Sequence, residues 1–166
     1  MKRMMIIGSP GSGKSTLAKL IAQKEGLPLV HLDKLFWQEG WVETPAEEFD
    51  RRLAEAVDKD AWVIDGNYTR TISMRLKRAD MVVFLDYPRR ICMWRICKRI
   101  LKHYGRTRSD MGSGCPERFD VSFLQYVWNF RKHSREKILA LLTDAKGKQI
   151  VHIQNKKEYR HFVKGL

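Results

Sequence analysis

The chain contains little that would cross-link it, bind a structural metal or hold it in a membrane. Its three cysteines, Cys92, Cys97 and Cys115, form no C-x-x-C pair, and its five histidines form no H-x-x-x-H pair. This pattern favours reduced thiols and histidines in ordinary structural positions. The longest strictly apolar runs, at 4–7 and 81–85, are far shorter than a membrane span, and the N-terminus shows no cleavage site. We therefore expect a soluble, cytoplasmic protein.

Acidic residues are scarce beside basic ones. Lysine and arginine number 32 against 19 acids, which gives a net charge of +13, and the arginines concentrate between Arg70 and Arg135. We expect an anionic partner, either a phosphorylated small molecule or a nucleic acid. No helix-turn-helix, zinc finger or RNP-type motif accompanies the charge, so a nucleic acid stays an alternative without a motif to support it. The 166 residues suit one domain, 1–166, with a continuous core.

Five short apolar runs alternate with segments of helical period. The runs lie at 4–7, 29–32, 62–64, 81–85 and 150–153. Alternation of this kind is typical of a parallel sheet covered by helices on both faces. The sequence therefore predicts an α/β fold of three layers.

Helix signals fall between these runs. Thr44 and Pro45 predict a helix start with a capping threonine, Pro88 predicts another, and Asn155 with Glu158 predicts a capped last helix. We expect helices over 45–57, 88–102, 122–142 and 155–163. The segment 104–120, between the two long helices, is rich in glycine and arginine and has no hydrophobic period. It is typical of a loop that moves over a bound nucleotide.

Residues 8–15, Gly-Ser-Pro-Gly-Ser-Gly-Lys-Ser, match the phosphate-binding pattern G-x-x-x-x-G-K-[ST]. They follow an apolar strand and precede a helical pattern, as the chemistry requires. Glycines permit a backbone that points N–H groups at phosphate oxygens, and the following helix adds its positive dipole end. Lys14 is then expected to bridge the β and γ phosphates, and the Ser15 hydroxyl to ligate Mg²⁺. The alternative is a tight glycine turn that holds no ligand.

Three aspartates, Asp33, Asp65 and Asp86, follow predicted strands. Ligands of open parallel sheets lie beyond the carboxyl ends of the strands, so each is a candidate to support a metal-bound triphosphate. Asp65 is the preferred metal residue, together with Ser15, because the glycine after it allows close approach. A solvated turn aspartate is the alternative.

The motifs together resemble the adenylate-kinase-like P-loop kinases. The resemblance covers nearly the whole chain. It rests on the phosphate-binding residues 8–15, the segment 65–70 (Asp-Gly-Asn-Tyr-Thr-Arg), the turn 86–88 and the arginine-rich loop. It is strongest to the bacterial group labelled DNA topology modulation protein, which shares His31-Leu32-Asp33 followed by Trp37 and Trp41. The resemblance implies a P-loop NTPase fold, nucleoside or nucleotide kinase-like, with a five-stranded parallel sheet, an acceptor-binding segment at 33–58 and a small lid at 104–120.

The chain also departs from adenylate kinases. Asn67-Tyr68 stands where they have Phe-Pro, and their Thr-Gly-Asp-Met signature is missing, which argues against AMP as the acceptor. By the resemblance, Asp33 is a candidate general base, with helix capping as the alternative. Trp37 and Trp41 are expected to line an acceptor pocket or, alternatively, to pack the segment onto the core, and Arg70 is expected to clamp the acceptor.

Arginines around the predicted lid are expected to neutralise charge on the transferred phosphoryl group. They are Arg99, Arg106, Arg108, Arg118, Arg131 and Arg135. The residues expected to be catalytic are Lys14, Asp33, Arg99, Arg131 and Arg135. Those expected to bind the nucleotide are Gly8, Ser9, Pro10, Gly11, Ser12, Gly13, Lys14, Ser15, Thr16, Arg99 and Arg106. A solvated helix surface is the alternative for each arginine taken singly.

These features favour an ATP-dependent kinase that uses Mg²⁺ and acts on a nucleoside, a nucleotide or another small hydroxyl acceptor. The alternative is a nucleic-acid-associated NTPase or DNA topology regulator that binds DNA through its basic surface. A nucleotide-binding structural protein without turnover is weaker, because it would leave Asp33, Asp65 and the arginines without a chemical role.

Overall fold

A computed structural model describes residues 2–145 and 147–166. Its main sheet contains β1 (Arg3–Gly8), β2 (Leu29–His31), β5 (Trp62–Asp65), β6 (Met81–Leu85) and β7 (Gln149–Ile153). The strands are parallel and lie in the order β2-β5-β1-β6-β7. A small antiparallel hairpin pairs β3 (Trp37–Gln38) with β4 (Val42–Glu43). The predicted five-stranded parallel α/β fold is confirmed.

Helices cover both faces of the sheet. They are α1 (Lys14–Glu25), α2 (Leu32–Phe36), α3 (Ala46–Val57), α4 (Ile72–Arg78), α5 (Arg89–His103), α6 (Val121–Phe130), α7 (Glu136–Thr143) and α8 (Lys156–Lys164). Short 3₁₀ turns lie at 39–41 and 69–71, and a π-helical turn, Arg131–Arg135, joins α6 to α7. No helix in the described part of the chain is both long and apolar enough to cross a membrane.

Two hydrophobic clusters form the core, one on each face of the sheet. One includes Leu17, Ile21 and Ile96 from α1 and α5, all fully buried. The other includes Phe49 from α3 and Ile138 from α7. Burial of a side chain of this size stabilises the fold by about 1.5–3 kcal/mol, so the apolar stripes dock the helices firmly onto the sheet. The loops at the carboxyl edge of the sheet are thereby held at defined positions.

The elements differ from the sequence predictions in three places, one of which is the π-helical turn Arg131–Arg135 that interrupts the helix expected over 122–142. The second strand ends at His31, and Leu32 begins α2, so Asp33 lies in a short helix and not at a strand end. Thr44 does not cap α3: its hydroxyl donates to Leu35 O at 3.0 Å, which ties the hairpin back to α2. At α8 the prediction is confirmed, because the Asn155 side chain accepts hydrogen bonds from the N–H groups of Lys157 and Glu158.

Candidate active site

A cavity of 770 Å³ opens at the carboxyl edge of the sheet. Its floor is the turn after β1, and its walls come from α2, the β3–β4 hairpin, the turn after β5 and the segment 104–120. The cavity brings together many of the predicted site residues: Pro10, Gly11, Gly13, Lys14, Ser15, Thr16, Asp33, Trp37, Trp41, Asp65 and Arg99. These residues were predicted from separate parts of the chain, and the parallel topology collects them at one edge.

The turn 8–15 wraps closely against its neighbours. Gly8 and Gly11 have φ of 146° and 77°, and a Cβ at either would lie 2.2 Å from Leu85 O or 2.6 Å from Cys92 O. Gly13 has φ of 101° and open space around its Cβ position. The first N–H groups of α1, which begins at Lys14, have no partners inside the helix, and Lys14, Ser15 and Thr16 line the cavity. The turn therefore presents amide donors and the positive helix end to any ligand there.

Polar groups in this turn have too few partners within the protein. Lys14 Nζ donates to Ser9 O at 3.0 Å and makes no ion pair among the described residues. Burial lowers the pKa of Lys14, while the charges of Asp65 and Asp33 oppose that shift. Ser12 Oγ is buried and has no hydrogen-bond partner within residues 2–145 and 147–166. A polyphosphate in the cavity would provide an acceptor for Lys14, so the turn fits a nucleotide triphosphate.

Oxygen ligands for a hard cation lie at the mouth of the turn. Ser15 Oγ donates to Asp65 Oδ2 at 2.7 Å, and Asp65 is buried at the end of β5. The other carboxylate oxygen of Asp65 pairs with Nδ1 of the buried His31. His31 orients Asp65 and was not among the predicted site residues. A hydroxyl beside a carboxylate, both close to a phosphate site, suits Mg²⁺.

The far end of the cavity is aromatic and contains one half-buried acid, Asp33. Tyr68 Oη donates to Asp33 Oδ1 at 2.7 Å. Burial raises the pKa of Asp33, and the hydrogen bond from Tyr68 and the charge of Lys14 oppose the shift. The rings of Trp37 and Trp41 meet edge to face with centroids 5.4 Å apart. Tyr68 was missed by the sequence analysis, because nothing local connects it to Asp33.

A buried arginine shapes the turn that carries Tyr68. The Arg75 guanidinium is fully buried and donates to Gly66 O at 2.9 Å and also to Asn67 O. Burial lowers the pKa of Arg75 to about 9, so the group keeps its charge at neutral pH. Asn67 Oδ1 in turn accepts the N–H of Gly8 at 3.0 Å. The turn after β5 is thus locked to the phosphate turn on one side and to Asp33 on the other.

Two arginines over the phosphate turn are held together by one carboxylate. Arg99 Nη2 lies 3.0 Å from Glu117 Oε1, and Arg108 Nε lies 2.8 Å from Glu117 Oε2. Arg108 also pairs with Asp110 at 2.7 Å. Burial lowers the pKa of Arg99, and the like charge of Arg108 adds to the effect. Glu117 offsets this repulsion, so two guanidinium groups share one side of the cavity.

The segment 104–120 packs directly on the β3–β4 hairpin. Gly40 N donates to Gly114 O at 3.0 Å, and Trp41 Nε1 donates to Pro116 O at 3.2 Å. Gly112 is buried against the backbone of Trp37, where an added Cβ would lie 2.0 Å from Trp37 O. These contacts close the cavity between the segment and the hairpin, so we call them the latch.

We predict that Gly112→Ala will loosen the latch. The new methyl group meets backbone, so the two segments must separate. Amide hydrogen exchange should rise about tenfold across 112–118, and turnover with any acceptor should fall about tenfold or more, because misplacement by about 1 Å is costly to catalysis. Gly165→Ala is the matched control, since its Cβ would lie 3.6 Å from the nearest atom. Unchanged exchange in Gly112→Ala would refute the latch.

Four predicted arginines do not line the cavity. Arg70 forms an exposed ion pair with Asp50 of α3, at 2.5 and 2.8 Å, and Arg106 contributes backbone hydrogen bonds with His103 and Glu117. Arg131 and Arg135 were expected at the transferred phosphate. The π-helical turn carries them instead to Asp86.

Asp86, the third candidate carboxylate, does not line the cavity and is paired with basic side chains instead. Its side chain is almost fully buried, and its two oxygens accept Arg135 Nε at 3.0 and 2.8 Å. His152 Nε2 lies 3.0 Å from it, and Arg131 lies 3.7 Å away. A buried carboxylate needs compensating charge, and this need explains where both arginines lie.

Comparison with known proteins agrees with this geometry. The family model "ATPase family associated with various cellular activities (AAA)" matches residues 4–86, half of the chain. An adenylate kinase of Clavibacter michiganensis subsp. michiganensis is 32% identical over 109 residues, which cover 64% of this chain and 53% of that protein. An adenylate kinase of Thermotoga neapolitana is 28% identical over 94 residues, covering 55% and 42%. The chain spans about half the length of the curated relatives it matches.

Solved structures share the fold across the whole chain. Shikimate kinase from Acinetobacter baumannii, in complex with shikimate, aligns with a TM-score of 0.58 and 16% identity, covering 99% of this chain and 90% of that one. A sugar kinase from Janibacter sp. aligns with a TM-score of 0.55 and 15% identity, covering 99% and 91%. At such low identity the match concerns the fold.

Proposed function

This chain belongs to the ATPase family associated with various cellular activities (AAA), and we propose that it is an ATP-dependent phosphotransferase acting on a small hydroxyl acceptor. The observation that carries the proposal is one cavity with two unlike ends. One end offers amides, Lys14 and Ser15 to a triphosphate, and the other offers aromatic rings and Asp33 to a second molecule. The names of the relatives and structural neighbours, adenylate, shikimate and sugar kinases, support the same class of reaction.

In this proposal the phosphate turn positions the γ-phosphoryl group. The amides of the turn and Lys14 bind the β and γ phosphates of ATP, and Ser15 with Asp65 holds the metal, oriented by His31. When bound, Mg²⁺ supplies positive charge that polarises the phosphate oxygens. Arg99 from α5 and Arg108 from the lid face the same region and stabilise charge on the equatorial oxygens.

Asp33 serves the acceptor. Its carboxylate accepts a hydrogen bond from the acceptor hydroxyl and aligns that oxygen with the γ-phosphorus. As the new oxygen–phosphorus bond forms, the bond from phosphorus to the β–γ bridging oxygen breaks, ADP leaves, and the hydroxyl proton passes to Asp33. Burial raises the pKa of Asp33, which brings it closer to a useful range for a base. Tyr68 keeps the carboxylate aimed into the cavity.

The acceptor-binding segment and the lid predicted from the sequence have separate roles in this proposal. Residues 33–58 hold the acceptor, and residues 104–120 act as the lid, with the latch joining the two over the reacting groups. Closure excludes water, which would otherwise compete with the acceptor for the phosphoryl group. The likeness to the DNA topology modulation group rests on His31, Asp33 and the tryptophans, which all lie in or beside this cavity.

The test is a screen of nucleosides, nucleotides and sugar-like alcohols for ATP-dependent phosphorylation, with wild-type protein and Asp33→Asn. We expect one acceptor class to be phosphorylated and Asp33→Asn to slow transfer about 100-fold. The folded-state pKa of Asp33 is raised, so its ionisation costs stability as pH rises through that pKa. Asp33→Asn should therefore melt at the same or a higher temperature than wild type at pH 8.

The control is Asp60→Asn, which changes an exposed carboxylate and should alter neither the rate of phosphoryl transfer nor the melting temperature. ATP hydrolysis stimulated by duplex DNA, with no acceptor phosphorylated, would refute the proposal and favour a nucleic-acid-associated NTPase.

A further inference from the structure

We infer that the acceptor is an uncharged compound whose ring has an apolar face and carries a free hydroxyl, of the nucleoside or cyclic polyol kind, and not a phosphate or carboxylate. The inference rests on the proposed function and specifies its second substrate. It comes from the acceptor wall, by which we mean the side of the cavity formed by Asp33, Phe36, Trp37, Trp41, Tyr68 and Tyr126.

The cations nearest the acceptor wall already have acidic partners: Arg108 of the lid, whose charge lowers the pKa of Asp33, pairs with Glu117 and Asp110. Within the described residues, the arginines of the surrounding elements all have other partners. Arg52 pairs with Glu48 and Arg70 with Asp50, both on the outside of α3. Arg75 is buried beneath the turn after β5, where its guanidinium donates hydrogen bonds to main-chain carbonyl oxygens.

Arg118 of the lid lies beside the Trp41 ring, and its charge is also compensated. Its guanidinium stacks on the Trp41 ring at 5.0 Å and lies 3.5 Å from the Asp120 carboxylate. Both groups belong to the cavity lining, so the pair adds no net charge to the acceptor end. Lys14 lies at the phosphate end of the cavity, where the phosphates of ATP compensate its positive charge.

The ionisable groups of the wall oppose an anion. Asp33 has a hydroxyl partner, Tyr68, and no ion pair among the residues described. A second negative group would lie beside this carboxylate and close to the γ-phosphate, and like charges repel each other at such a separation. An acceptor phosphate or carboxylate would thus lose its hydration and gain no counter-charge.

The rings of the wall favour a neutral molecule whose ring has an apolar face. Phe36 and Tyr68 lie 4.9 Å apart at 50°, and Phe36 meets Trp37 edge to face, also at 4.9 Å. Such rings bury the apolar face of a base or sugar, and the Asp33 carboxylate accepts from its hydroxyl. The same chemistry is offered by a nucleoside and by a cyclic polyol, and an experiment separates them.

The experiment compares matched pairs that differ only in charge: a nucleoside with its 5′-monophosphate, and a cyclic triol with the corresponding ring carboxylate. Binding is measured by calorimetry in the presence of Mg²⁺ and a non-hydrolysable ATP analogue, and transfer is measured separately with ATP. We expect the neutral member of one pair to bind at least about tenfold more tightly than its charged partner. The pair that shows this identifies the acceptor kind.

Two variants test the reason for the preference. Asp33→Asn should reduce the ratio of affinities between the neutral and charged members of a pair about tenfold, because it removes the negative charge that repels the charged member. Trp37→Ala should weaken binding of the neutral member about tenfold, whereas Trp94→Ala, which removes an exposed ring on α5, should leave it unchanged.

Tighter or equal binding of the charged members would overturn the inference, and so would the absence of binding by both neutral compounds to protein that holds the ATP analogue. Binding of a neutral member without phosphoryl transfer would refute the proposed function and leave the inference standing. Failure of the inference and failure of the proposed function therefore give different results.

Discussion

Replacing Lys14 with alanine should slow phosphoryl transfer by about 10²–10³-fold, the range seen when one donor to a developing charge is removed. The loss follows from the position of the ammonium group, which lies in the cavity and has only Ser9 O as a hydrogen-bond partner among the described residues. Single-turnover assays with excess protein measure the effect directly. Lys24→Ala, an exposed position on the same helix, is the control and should retain the wild-type rate.

The same substitution should not destabilise the free protein. Burial lowers the pKa of Lys14 below its ordinary 10.5, so the charged form costs folding free energy at neutral pH. That cost is fully present below the lowered pKa and disappears as pH rises toward 10.5. The melting temperature of Lys14→Ala should therefore equal or exceed that of wild type at pH 7, and the gap should shrink near pH 10. Transfer within tenfold of wild type, or a large loss of stability, would contradict the assignment of Lys14 to the phosphates.

Arg75→Met should lower the free energy of unfolding by about 3–6 kcal/mol, because it removes two hydrogen bonds from a charged group and each contributes about 1.5–3 kcal/mol. Methionine fills much of the volume but donates no hydrogen bonds, so the carbonyls of Gly66 and Asn67 lose their partners, and each buried unsatisfied group costs about 1–3 kcal/mol. For a chain of this length the melting temperature should fall by roughly 10 °C or more. Thermal and urea denaturation measure both quantities.

Arg78→Met provides the matched comparison on the same helix. Arg78 is half-exposed, and its guanidinium donates to Asp58 O at 2.9 Å, so its loss should cost about 1 kcal/mol or less. Arg75→Met should also weaken acceptor binding, because the turn it supports carries Tyr68, which orients Asp33. If both variants melt alike, the buried guanidinium does not hold this turn.

The phosphate turn was predictable because its information is local. Eight consecutive residues specify the glycine conformations, the lysine and the hydroxyl, and the strand before them and helix after them have clear apolar patterns. The parallel sheet was predictable for the same reason, since the five buried strands are short apolar runs separated by helical segments. The carboxyl ends of parallel strands share one edge, so Asp65 was expected near Ser15, and the structure places their oxygens 2.7 Å apart.

Other parts of the site depend on contacts between distant residues. Arg75 stands in a short polar helix segment like any surface arginine, and only the packing of α4 beneath the turn after β5 buries it. Arg131 and Arg135 have the spacing of a phosphate clamp, but the π-helical turn and the buried charge of Asp86 determine their direction. No local pattern distinguishes an arginine facing a ligand from one facing a buried carboxylate.

The amino-acid sequence alone determined the sheet, most of the longer helices and the phosphate turn, because backbone conformation and apolar periodicity are properties of neighbouring residues. The tertiary structure alone decided that Tyr68 meets Asp33, that His31 meets Asp65, that Glu117 joins Arg99 to Arg108, and that the lid closes on the hairpin. These pairings join residues far apart in the chain, and their partners are selected by burial and charge compensation after the layers have packed.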